Sequence, residues 1–184
     1  IKKNKLKASL KLLVCDSPKA LCLKKAKIDR VKALLIESKD YSSRDEFEAK
    51  IIENLRQEKI DLVVLAGFMR ILGRKLINSY KNRIINIHPA ILPSFKGAHA
   101  IADAFNYGVK ATGVTVHFVD EQTDHGPIIL QKAVDIGEKD TPASLEKKIH
   151  ALEHIIYPEA IKLFLEKRLR IAGRKVKVLN TNYH

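Results

Sequence analysis

Tryptophan is missing from this chain of 184 residues, methionine occurs once and cysteine only twice. Two cysteines cannot build a disulfide framework. Cys15 closes an apparent strand and Cys22 falls in an apparent helix, so both read as buried free thiols rather than metal or redox groups. A reducing, cytoplasmic setting is expected. Neither CxxC nor HExxH spacing occurs, and no metal site is expected. No apolar run approaches the roughly 20 residues that span a bilayer. The basic start Lys2-Lys3-Asn4-Lys5 is followed by neither an apolar segment nor a cleavage site, so no signal peptide and no membrane partner are expected. Glycine is scarce: of eight, the first is Gly67.

Acidic residues are outnumbered, and the net charge is +13. Residues 1–30 hold ten Lys/Arg against two acids, and residues 161–184 seven against one. Those two stretches carry +14 between them, which leaves the middle at −1. No aromatic residues interleave with the terminal lysines to form a stacking platform, so the excess reads as a solvated basic surface and no nucleic-acid partner is expected.

The length suits one domain with a sizeable core. Leu10 to Val14 reads as a strand, and Ser17-Pro18 as the start of a helix. Ala33 to Ile36 is a second short strand. Ser43-Arg44-Asp45-Glu46 has the form of a capping box ahead of the helical stripe Phe47, Ile51, Ile52, Leu55. Leu62 to Ala66 is apolar without alternation, as in a strand covered on both faces. Ile84-Ile85 is another buried strand, expected to end at Asn86. Ala98 to Tyr107 reads as a helix stopped by Gly108, and Val114 to Val119 and Ile128 to Val134 as strands. Thr141-Pro142 opens a long helix that Pro158 should kink or break. The alternation implies an α/β fold with a mostly parallel central sheet and flanking helices, Rossmann-like in plan. Ligands bind such sheets at the carboxyl ends of strands. Gly67, Asn86 and Asp120 all fall there.

Asn86-Ile87-His88-Pro89 puts an amide and an imidazole on one side of an extended segment. Both can donate hydrogen bonds to an oxyanion, and a carboxylate from the loop Asp120-Glu121-Gln122-Thr123-Asp124 can hold the imidazole charged. The plain alternatives are an Asn and a His that satisfy loop backbone and a polar loop that merely joins two strands. Lys96 is a surface charge or an anion contact. His117, inside Val116-His117-Phe118, reads as a packed core residue.

Five ordered motifs narrow the choice. They are Val64-Leu65-Ala66-Gly67-Phe68-Met69-Arg70-Ile71-Leu72, then Asn86 through Ala100, then Thr112-Gly113-Val114-Thr115-Val116-His117-Phe118-Val119-Asp120. Asp124-His125-Gly126-Pro127-Ile128-Ile129 and Glu153-His154-Ile155-Ile156-Tyr157-Pro158 complete them. Together, from about Leu10 to Leu169, the chain resembles the phosphoribosylglycinamide formyltransferase family. The resemblance implies transfer of a formyl group from 10-formyltetrahydrofolate to the amine of glycinamide ribonucleotide, in purine synthesis, without a metal. It implies a catalytic trio of Asn86, His88 and Asp124, with Asp124 raising the pKa of His88. It implies folate contacts from Arg44, Met69, Arg70, Ile71, Leu72 and Asn86 and from Asp120, Glu121, Gln122, Thr123 and Asp124. His150, Ala151, Leu152 and Glu153 would meet the nucleotide. Ala90 stands where the family commonly has Ser. The family also opens with a strand and a Gly-Ser-Asn loop that holds the substrate phosphate, and nothing before Gly67 corresponds to it; residues 1–184 are therefore expected to be a single, N-terminally incomplete domain. Formyltetrahydrofolate hydrolase and methionyl-tRNA formyltransferase share the Asn-x-His and Asp chemistry. A basic, non-catalytic α/β binding module is the alternative outside enzymes. Oligomeric state is left open.

Overall fold

The computed structural model describes residues 6–180. Strand β1 (Leu12–Cys15) runs parallel to β2 (Lys32–Leu35), with α1 (Leu21–Ile28) between them. This pair is a sheet of its own. Helix α2 (Arg44–Gln57) leads to β3 (Val63–Leu65), and α3 (Arg74–Ser79) to β4 (Ile84–His88). Then come α4 (Ala100–Tyr107), β5 (Ala111–Phe118), β6 (Ile128–Asp135), the 24-residue α5 (Pro142–Leu165), β7 (Leu169–Ala172) and β8 (Lys175–Val178). The second sheet has the order β3-β4-β5-β6-β8-β7. Strands β3, β4, β6 and β8 share one direction, and β5 and β7 oppose it. This is the expected α/β architecture, with most strands pointing one way.

Two apolar clusters hold the molecule together. Phe47, Ile51, Ile52 and Leu55 of α2 pack with Leu76, Ile77, Tyr80 and Ile84, and Leu12, Val14, Val63 and Leu65 lean on the same cluster. Leu145, Ile149, Ile156 and Ala160 of α5 pack with Ile85, Val114, Val116 and Phe118. Burial of whole Leu, Ile or Phe side chains contributes about 1.5–3 kcal/mol each, which makes these two faces the main source of stability.

Several local expectations need correction. Helix α1 begins at Leu21, not at Ser17-Pro18; the Ser17 carbonyl is taken by the Ala20 N–H and the Cys15 thiol, which closes a turn ahead of the helix. The capping box of α2 is half formed. Ser43 Oγ accepts from the Glu46 N–H, but Glu46 turns back to the N–H and hydroxyl of Ser42. Strand β3 lies at the end of its sheet and leaves Val64 41% exposed, so it is not covered on both faces. Strand β4 runs two residues beyond Asn86 and includes His88. Helix α5 continues through Pro158 to Leu165, because burial of Ile156, Ala160 and Leu163 on either side outweighs one missing backbone bond. The β7–β8 hairpin has no counterpart in the expected elements. Among the described residues, no helix is long and apolar enough to cross a membrane.

Candidate active site

Antiparallel pairing of β4 with β5 sets Asn86 opposite His117 and His88 opposite Thr115. Two residues apart on one strand, Asn86 and His88 face the same side. The loop after β5 then returns Asp124 to them. Asp124 Oδ2 stands 3.3 Å from His88 Nδ1, and Asp124 Oδ1 stands 3.8 Å from His117 Nε2. His88 and His117 are buried and Asp124 nearly so. The three residues singled out in the sequence therefore share one neighbourhood.

Backbone geometry holds the carboxylate there. Asp124 has φ +46°, a conformation Asp tolerates better than most residues. Its Oδ2 accepts from the Gly97 N–H at 2.8 Å, and Gly97 has φ +94°, which favours glycine. His88 Nε2 donates to the Phe95 carbonyl at 2.8 Å, so both ring nitrogens have partners.

His117 belongs to this site, although its strand position reads as core. Its Nδ1–H donates to the Phe118 carbonyl at 2.8 Å. That leaves Nε2 as an acceptor, and the Asn86 amide nitrogen lies 3.3 Å away. Burial holds the His117 pKa below the ordinary imidazole value, which keeps the ring neutral and able to accept. His117 thereby fixes which end of the Asn86 amide is the donor and leaves its second N–H free. The only signal for this in the sequence was the alternation along β5, which does not reveal the partner strand's register.

Thr115 was not singled out either. Its hydroxyl donates to the Ala90 carbonyl and accepts from the Leu92 N–H and from Gln131 Nε2. This buried hydroxyl pins the loop after His88 to the sheet, together with Gln131 Nε2, which donates to the Leu92 carbonyl at 3.0 Å. Tyr157 on α5 does similar work on the other side, donating to the carbonyls of Leu65 (2.5 Å) and Ile85 (3.1 Å). Leu65 pairs with Asn86, and Ile85 precedes it. Burial pushes the Tyr157 phenol pKa well up, so it remains a donor.

Arg44, Met69, Arg70, Ile71 and Leu72 line one cavity of about 600 Å³, with Tyr41, Phe47, Glu48 and Phe68. Met69 and Ile71 expose 72% and 61% of their surface, whereas Leu72 is buried. Arg70 pairs with Asp16 at 2.7 Å. The trio does not line this cavity, which follows directly from β3, the neighbour of β4. Glu121 pairs with Arg74 at 2.7 Å, and Gln122 and Thr123 are exposed. Asp120 accepts from the Gln122 N–H and from the His125 ring. On α5, His150 Nδ1 bonds Glu153 at 2.8 Å, and this bond raises the His150 pKa. Ala151 is exposed, and Leu152 packs on the core. Glu153 stands one turn before Tyr157 and is close enough for its charge to act on that phenol. Among the described residues, no group of three His, Cys, Asp or Glu side chains is placed to hold a metal ion.

A Rossmann-like sheet with an Asn, two His and an Asp gathered at one strand end places the molecule among enzymes of acyl transfer. Residues 1–161 match the formyl transferase family, and the chain belongs to it. Phosphoribosylglycinamide formyltransferase of Bacillus subtilis (strain 168) is 46% identical over 165 residues, a match covering 90% of this chain and 85% of that protein. The trifunctional purine biosynthetic protein adenosine-3 of Homo sapiens is 40% identical over 156 residues; the match covers 85% of this chain but 15% of the human protein. In structure, glycinamide ribonucleotide transformylase 1 from Symbiobacterium toebii superposes with a TM-score of 0.94 at 43% identity, covering 97% of this chain and 84% of that one.

Proposed function

We propose that this chain transfers the formyl group of 10-formyltetrahydrofolate to the amine of glycinamide ribonucleotide, a step of purine biosynthesis carried out in the cytoplasm. The observation that carries the reading is the meeting of Asn86, His88, His117 and Asp124 within 4 Å contacts in a chain of the formyl transferase family. The substrate amine attacks the formyl carbon and forms a carbon–nitrogen bond. The carbonyl electron pair moves to oxygen. Collapse of that intermediate expels the folate nitrogen, which takes up the proton the amine releases. The free N–H of Asn86 donates to the oxyanion. His88 supplies a second donor by turning its Nε2–H from the Phe95 carbonyl to the same oxygen, while Asp124 balances the charge of the ring. Arg44 and the segment from Met69 to Leu72 form one wall for the folate, and the loop from Asp120 to Asp124 forms the other. The segment from His150 to Glu153 meets the nucleotide through its outward side chains, with Glu153 suited to a ribose hydroxyl and Leu152 kept on the core.

We also propose that residues 1–184 form one formyltransferase domain. The two sheets share an apolar cluster, and among the described residues no strand of one pairs with a strand of the other.

Turnover with both substrates tests the function. Removing one oxyanion donor typically costs about 10²–10³ in rate, so Asn86→Ala and His88→Ala should each lower kcat by that order with little effect on KM. Release of formate without formylation of the amine would identify a hydrolase and refute the proposed transfer.

A further inference from the structure

The loop that carries Asp124 is gripped by an element outside all five sequence motifs. Arg174 stands in the turn of the β7–β8 hairpin, next to Gly173 at φ +59°. Parallel pairing of Ile128 with Lys175 sets that turn against the start of β6, and so against the loop. The Arg174 guanidinium donates from Nη2 to the His125 carbonyl at 2.7 Å, and its Nη1 lies nearest to His125 Nε2, at 2.7 Å, with Nδ1 at 3.2 Å. That Nδ1 donates to Asp120 Oδ2 at 2.7 Å. Closeness to both ring nitrogens sets the guanidinium over the face of the imidazole, and the in-plane Nδ1–H is left for Asp120.

These bonds define the path of the backbone through Asp124. Asp120 opens the loop and His125 closes it, and the histidine ring ties one to the other. The His125 carbonyl lies one residue beyond Asp124, so the arginine fork orients the chain just past the αL residue. A further tether of the loop, Glu121 to Arg74, joins two exposed side chains and is worth little. Arg174 reaches a backbone carbonyl through Nη2 while its planar guanidinium lies against the His125 ring, which constrains direction as well as distance.

We propose that Arg174 is a positioning residue: by holding His125 it keeps the Asp124 carboxylate on His88 and on the Gly97 N–H. The proposal rests on the reading of Asn86, His88 and Asp124 as the reacting site. Its test has two independent arms on the full chain. In the first, hydrogen exchange of the Gly97 amide reports the Asp124 contact without any substrate. Loss of one charge-assisted bond should speed that exchange about tenfold in Arg174→Ala. Arg174→Lys should recover part of the protection, and Lys177→Ala, on the same hairpin, should change nothing. In the second arm, Arg174→Ala should lower kcat about tenfold with the nucleotide KM unchanged, while Tm falls only by the few degrees that the same lost bond accounts for. Wild-type exchange at Gly97 in Arg174→Ala, or equal effects from Lys177→Ala, would overturn the latch. Undiminished turnover in His88→Ala, or none in the wild type, would instead defeat the active-site reading, and the exchange arm would still decide whether Arg174 holds the loop.

Discussion

Gly126 shows how little freedom the residues around Asp124 have. A Cβ built on it would lie 1.8 Å from the Phe118 carbonyl oxygen, and that oxygen belongs to a buried strand that cannot yield. Gly126→Ala should therefore destabilise the fold by about 3 kcal/mol or more and displace the loop, lowering the denaturation midpoint and turnover together. A variant with the wild-type midpoint would show that the loop can shift away at no cost. At this scale the sequence was informative about chemistry and silent about partners. Asn86, His88 and Asp124 stand out because an amide, an imidazole and a carboxylate sit beside strand ends. His117, Thr115 and Tyr157 do not stand out, since their roles depend on which strand lies opposite and in what register.

Among the elements, α5 has the widest reach. One face packs Leu145, Ile149 and Ile156 against the sheet, and the same helix sends Tyr157 to two adjacent strands. Tyr157→Phe keeps the ring and removes the hydroxyl that serves the Leu65 and Ile85 carbonyls. Leaving them without that donor should cost about 1–3 kcal/mol, read as a shift in urea midpoint at constant m-value. No shift would mean that water replaces the phenol. The start of this helix was legible in Thr141-Pro142, where Thr141 and Ser144 do form a reciprocal cap. The β7–β8 hairpin was not recognised, although Leu169, Ile171, Val176 and Val178 alternate with basic residues on either side of Gly173. The basic residues made the segment look like a solvated tail, and only the parallel contact of β8 with β6 reveals its register.

At the scale of the whole molecule, two of the described histidines respond to mild acid with opposite signs. His117 has its pKa lowered by burial from 6.5, so the unfolded chain binds a proton first as pH falls below about 6.5. Stability present above that value is lost toward the lower native pKa. His150 has its pKa raised by its bond to Glu153, so the native chain binds first and stability is gained as pH falls through that higher value to 6.5. The second effect is small, because the His150 side chain is 53% exposed. Denaturant midpoints should thus fall between pH 6.5 and 5, and His117→Asn should flatten that slope; an unchanged slope in the variant would clear His117 of responsibility. The uncovered side of β3 acts at this scale too. Among the described residues no strand pairs with its outer edge, and with Val64 bare beside it that edge is a template on which a strand of another copy can zip. Concentrated solutions of this polypeptide would accordingly turn cloudy with β-rich aggregates, and solutes that compete for peptide groups, more than added salt, would keep them clear.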